Sequence, residues 1–195
     1  LEQRRATILT TLTEQEKLSD ELRAQIVACF NKVELEDLYL PYRPKRQTRA
    51  SVAIERGLEP LARFLWEQQP GDQSIPDLAA SFVNPEKGVA HVDEALEGAG
   101  HIVAEWVAER ADVRQVLRSL MFAEGKVRST VAPGKQDNKT KFQDYYDFQE
   151  SVASIPSHRM LAILRGVREE VLSMGIDIDT AKALALVQSR VIQER

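Results

Sequence analysis

The sequence predicts a mainly α fold: a multi-helix, bundle-like scaffold with helical hairpins and at most two short β-strands. Three observations predict it. Apolar residues recur at three- and four-residue spacing through most of the chain, as in Ala95, Ala99, Ile102, Val103, Trp106 and Val107. Cap residues and prolines divide that pattern into segments of helix length. Strand-like character appears only twice, as a β-branched run at 126–131 and a two-residue alternation at 171–178.

The elements follow in order. A first helix over 2–12 carries Leu1, Ile8, Leu9 and Leu12 on its apolar stripe. Ser19 reads as the N-cap of a second helix, with Asp20 and Glu21 at its positive dipole end and Leu18, Leu22 and Ile26 facing in. The two pair as an antiparallel hairpin. A short helix around 35–38 ends at Pro41. Thr48 caps a helix over 49–56, which Gly57 closes, and Pro60 opens a helix that buries Leu61, Phe64 and Leu65. Residues 70–72 are a loop, Pro76 starts a short helix with Leu78 and Phe82, and 84–88 form a turn.

The longest helix spans 92–110, where Gly98 and Gly100 suit close approach by a neighbouring helix. Asp112 caps the next helix, with Val113, Val116, Leu117 and Leu120 inside, and Gly125 ends it. After the first strand come a turn at Pro133 and Gly134, a polar loop at 136–140, and an aromatic helix through Phe142, Tyr145, Tyr146 and Phe148. Ser157 caps a helix with Met160, Leu161, Ile163 and Leu164 inside, and Asp179 caps the last. The chain divides at 1–125 and 126–195, the second part packing on the first or merging with it into one domain.

Composition narrows the function. With 43% hydrophobic and 29% charged residues the chain is globular rather than disordered. A net charge of -4 offers nucleic acid no general attraction, so any contact must come from a local basic patch. One cysteine, Cys29, rules out a disulfide framework or a cysteine zinc site. No apolar run reaches the ~18 residues of a membrane span, no signal peptide is present, and the expected compartment is the cytoplasm. Helical pattern already at Leu1 and still running at the other end leads to the expectation of a segment cut from a longer polypeptide.

The strongest local signal is 42–49, in which Arg43, Lys45, Arg46 and Arg49 stand with Tyr42 and no acid. Such a loop can reach phosphates, and Tyr42 can stack on a base. The alternative is that these cations pair with Glu34, Glu36 and Asp37 or with neighbouring domains. Lys126, Arg128, Lys135, Lys139 and Lys141 form a looser basic stretch, read either as an extension of that surface or as a solvated strand edge protected by its lysines. His158 has no nucleophile or carboxylate at a recognisable spacing, and His91 and His101, ten residues apart, do not share a helix face at ligand spacing. Phosphate-binding glycine loops are missing from the sequence. No catalytic, cofactor-binding or metal-ligating residue is assigned.

Residues 35–49 (LEDLYLPYRPKRQTR) resemble the signature stretch of the Tex family of transcription accessory proteins. Residues 57–62, 94–99, 104–105, 145–148, 155–162 and 165–166 resemble the same family in the same order, so the likeness covers nearly the whole chain. Val167 to Glu170 departs from the small acidic or glycine-rich step pictured there. The resemblance implies the amino-terminal helical region of a long scaffold that elsewhere bears a helix-turn-helix element, an RNase-H-like domain, helix-hairpin-helix motifs and a terminal OB-fold RNA-binding domain. It implies nucleic acid as partner, mainly through those other domains, together with the other domains of the same polypeptide and, as a further candidate, RNA polymerase. The expected function is a non-catalytic scaffold segment of a nucleic-acid-binding transcription factor. The alternative is a docking module with no nucleic-acid contact of its own.

Overall fold

A computed structural model describes residues 1–43, 47–68, 74–135 and 140–193. Among these, ten α-helices accompany one three-stranded sheet. The chain forms two compact units, 1–114 joined by 190–193, and 115–189.

The first unit is helical: α1 (Glu2–Glu14), α2 (Asp20–Ala28), α3 (Lys32–Tyr39), α4 (Arg49–Glu55), α5 (Glu59–Glu67), α6 (Ile75–Ala80) and α7 (Val92–Glu109), with the start of α8 (Ala111–Glu124). Four of these helices, α2, α3, α4 and α6, begin where a short polar side chain satisfies a free backbone donor. Ser19 Oγ accepts from the Leu22 N–H at 3.1 Å. Asn31 Oδ1 accepts from the Val33 N–H at 2.8 Å. Thr48 and Ser51 form a reciprocal capping box at 3.0 and 2.8 Å.

Burial follows the apolar stripes into two clusters. Ile8, Leu12, Leu22, Ile26, Cys29, Leu35 and Tyr39 join α1, α2 and α3. Ala50, Ala53, Leu58, Leu61, Ala62, Ala95, Ala99 and Ile102 centre the packing of α4, α5 and α7. Gly98 permits that packing, because a Cβ there would lie 2.3 Å from Leu58 Cδ1. Gly100 has nothing within 4 Å of its would-be Cβ, so the close-approach reading fails for it. Asp112 sits inside the first turn of α8 rather than at its cap, where it binds Arg110 at 2.7 Å. The expected loop at 70–72 lies outside the described residues.

The second unit is built on β1 (Lys126–Val131), β2 (Asp147–Ser151) and β3 (Leu172–Asp177), in the order β2-β1-β3, with both pairings antiparallel. It also holds most of α8, all of α9 (Ser157–Arg168) and most of α10 (Thr180–Val191). Val127 and Ser129 are buried while Lys126 and Arg128 are exposed, the period-two pattern of a sheet with one wet face. Ile163 and Gly166 of α9 are buried, and α9 packs against β3.

Five expectations fail here. There are three strands, not at most two. The aromatic helix is instead a 3-10 turn at Gln143–Tyr145 leading into β2, with Phe142 buried beside it. The aromatic spacing imitates a helix, whereas hydrogen bonds from β1, distant in sequence, decide the local conformation. β1 is the central strand, so its basic residues guard no edge. Along α9, Leu161 is 65% exposed and Leu164 is also exposed, contrary to the inward reading, and Ser157 is the first helical residue rather than the cap. The polar loop at 136–139 lies outside the described residues.

Candidate nucleic-acid interface

The signature stretch divides into a buried half and an exposed half. In α3, Leu35 and Tyr39 face the first core cluster. The acids between them are engaged by distant cations. Glu36 receives two hydrogen bonds from the Arg4 guanidinium, at 2.6 and 2.9 Å. Asp37, whose side chain is 5% exposed, receives one from Arg114 Nε at 2.6 Å, and that is not its only interaction. Glu34 accepts from Asn31 Nδ2 at 3.4 Å.

The Arg4 hydrogen bonds hold the Glu36 carboxyl below the usual carboxylate range, against the opposing effect of burial, and the fields of Arg43 and Lys32 add to the lowering. A lowered acid contributes stability above its unfolded value of about 4.3, which is lost as pH falls through its folded value. Arg4→Leu is therefore expected to cost about 0.5–1 kcal/mol at pH 7, since the pair is partly solvated. The gap should narrow as pH falls toward the folded Glu36 value, as urea unfolding at pH 7 and at the lowest pH where the protein stays folded would show. An equal gap at both would assign the effect to Arg4 packing over the Tyr39 ring, 5.4 Å from its centroid.

After α3, Pro41 sits in a 3-10 turn, Leu40–Tyr42. Tyr42 is half-buried against the first core cluster, which withdraws part of its ring from any stacking role. Arg43 and Arg49 are exposed. Lys45 and Arg46 lie outside the described residues. Of the acids that the alternative reading offered to these cations, Glu36 is bonded by Arg4, and Arg43 acts on that carboxylate through its field. Next to Arg49, a cleft of about 480 Å³ opens between α4 and α7, lined by Thr48, Arg49, Arg56, Glu94, Glu97 and His101 among others.

The looser basic stretch belongs to the second unit. Arg128 lies 3.7 Å from Asp177 and Lys141 2.9 Å from Glu169, so both cations have carboxylate partners. Lys139 is outside the described residues. His158 and His91 are exposed, and among the described residues no cluster of acids, histidines and cysteine has metal-site geometry. No helix of the described residues is long and apolar enough to cross a membrane.

Sequence reading missed Arg4, Arg114 and the cleft residues Arg56, Glu94 and Glu97. Of the interactions that they make, the i,i+4 pair Glu97–His101, at 3.5 Å, and the hydrogen bond from the Ala90 N–H to Glu94, at 2.6 Å, are visible in local spacing. Asp37 and Arg114 are 77 residues apart, and no periodicity links them.

The family model described as Tex central region-like matches residues 72–195. Protein YhgF of Escherichia coli is 45% identical over 179 residues, covering 92% of this chain and 23% of that protein. The transcriptional accessory protein Tex of Neisseria gonorrhoeae is 45% identical over 176 residues, covering 90% and 23% respectively. Human S1 RNA-binding domain-containing protein 1 is 31% identical over 170 residues, covering 83% of this chain and 17% of that protein. The chain thus spans less than a quarter of the length of each of these relatives.

Proposed function

We propose a function from the premise that the chain belongs to the Tex family: it is a non-catalytic scaffold segment of a transcription accessory factor, and its loop at 42–49 touches nucleic-acid phosphates. The observation that carries this reading is the engagement of Glu36 by Arg4 and of Asp37 by Arg114, with Arg43 and Arg49 left exposed beside them. Exposed guanidiniums after a 3-10 turn and at the start of a helix suit phosphate contact, whereas paired ones would suit internal scaffolding. The transcription role and the RNA binding named in relatives belong to proteins of which this chain covers 23% and 17%. For the whole polypeptide, RNA polymerase is a candidate partner.

The test is fluorescence polarisation of labelled single- and double-stranded oligonucleotides over a salt series. It would be run beside a variant with Arg43, Lys45, Arg46 and Arg49 all changed to alanine. The expected result is binding that weakens with salt, and a variant whose log–log slope is shallower by about 0.7–0.9 for each phosphate that it no longer neutralises. Absence of binding at low salt would support the second reading, a docking module for other domains. Phe30, 82% exposed at the junction of α2 and α3, favours that reading because most of its ring faces solvent, with the Arg5 guanidinium 5.6 Å from its centroid.

A further inference from the structure

The cleft between α4 and α7 has a volume, about 480 Å³, within the roughly 300–1,000 Å³ of small-ligand sites. Its two walls differ in charge. Arg49 and Arg56 line the α4 side, and Glu94, Glu97 and His101 line the α7 side. A phosphate is attracted by the first wall and repelled by the second, so a phosphate alone does not match the cleft. A ligand that satisfies both walls joins an anionic group to a neutral group rich in N–H donors. A nucleotide has that composition.

The acids of the α7 wall are not equivalent. Glu94 Oε2 accepts from the Ala90 N–H at 2.6 Å, which ties it to the start of its own helix. Glu97 has His101 3.5 Å away on the next turn, and its side chain is 72% exposed. A carboxylate accepts hydrogen bonds at two oxygens and donates none. Among the bases, guanine sets an N1–H beside an N2 amino group, so one carboxylate can accept from both. Adenine and cytosine offer a single amino group, and uracil a single N–H. Base edges of this kind are open to a protein only in unpaired strands.

We propose that this cleft holds one guanine nucleotide of a single-stranded nucleic acid, with the phosphate on Arg49 and Arg56 and the base edge on Glu97. The proposal rests on the reading of the adjoining loop as a nucleic-acid surface. It adds to that reading a strand type and a base preference.

The probes are labelled 12-nucleotide uridine strands carrying one central guanosine, inosine or adenosine, measured against the whole chain and against Glu97→Gln. The expected result is about tenfold tighter binding of the guanosine strand than of the adenosine strand. Inosine, which lacks the N2 amino group, should fall between them. Glu97→Gln should erase the preference while leaving the salt-dependent binding of all three strands. Equal affinity for the three strands, or a preference that survives Glu97→Gln, would overturn the guanine site and leave the basic surface standing. Absence of binding to every strand at low salt would overturn both readings together.

Discussion

Asp37→Ala is expected to destabilise the first unit by about 2–3 kcal/mol, a large share of the stability of a domain of this size. The side chain is 5% exposed and accepts a 2.6 Å hydrogen bond from Arg114 Nε. Truncation removes a charge-assisted bond and leaves a cavity at the base of α3. It also leaves the Arg114 guanidinium without this carboxylate. Breaking a fully buried ion pair costs about 3–5 kcal/mol, but Arg114 is 41% exposed and can recover water, which lowers the figure. Thermal unfolding should move down by roughly 10 °C. Asp37→Asn keeps the shape without the charge and should fall between the two. A double-mutant cycle with Arg114→Met should return a coupling of at least ~1 kcal/mol. An Asp37→Ala protein within ~0.5 kcal/mol of the parent would show that Arg114 gains nothing from Asp37, and the buried half of the signature stretch would need another explanation.

The same residue shows where sequence reasoning runs out. Local rules were enough for the Ser19 cap, the Thr48 cap and the Asp179 cap, because an N-cap is an interaction between neighbours in the chain. They were enough for the stripe of α7 and for the existence of β1 and β3, although Ile176, an apolar position of the β3 alternation, is exposed. They failed at β2. Its sequence, DFQES, has little strand propensity, and its conformation is imposed by pairing with β1 across the loop. The candidate site divides in the same way. The basic run at 43–49 is legible as composition, but whether its cations are exposed depends on which distant arginines reach Glu36 and Asp37 first. Arg4 and Arg114 are 32 and 77 residues from those acids, and only the folded chain brings them together. Leu161 and Leu164 mark the opposite error. A helical stripe counts as buried in sequence reasoning, yet α9 turns Ile163 and Gly166 inward and leaves both leucines exposed.

Gly166→Val is expected to cost the second unit about 2–4 kcal/mol. Glycine inside a helix is about 1 kcal/mol worse than alanine, so its presence in α9 requires a compensating gain. That gain is space. A Cβ at this position would stand 2.4 Å from Leu172 Cδ1, 2.7 Å from Leu172 Cγ and 3.3 Å from Phe142 Cδ1. Leu172 opens β3 and is buried, and Phe142 is buried beside it, so neither has open volume to retreat into. Overpacking of this kind costs about 1–3 kcal/mol, and a β-branched side chain adds crowding against the preceding turn. Gly166→Ala should be milder, with the gain in helix propensity offsetting part of the clash. The discriminating variant is Gly166→Ala combined with Leu172→Ala, which removes the atoms that the new methyl would meet. If crowding is the cause, Gly166→Ala should be far less harmful in the Leu172→Ala background than in the parent, as chemical unfolding of the four proteins would show. If the cost is the same in both backgrounds, the glycine is required by the helix backbone itself, and the close approach of α9 to β3 would be a consequence of that requirement rather than its reason.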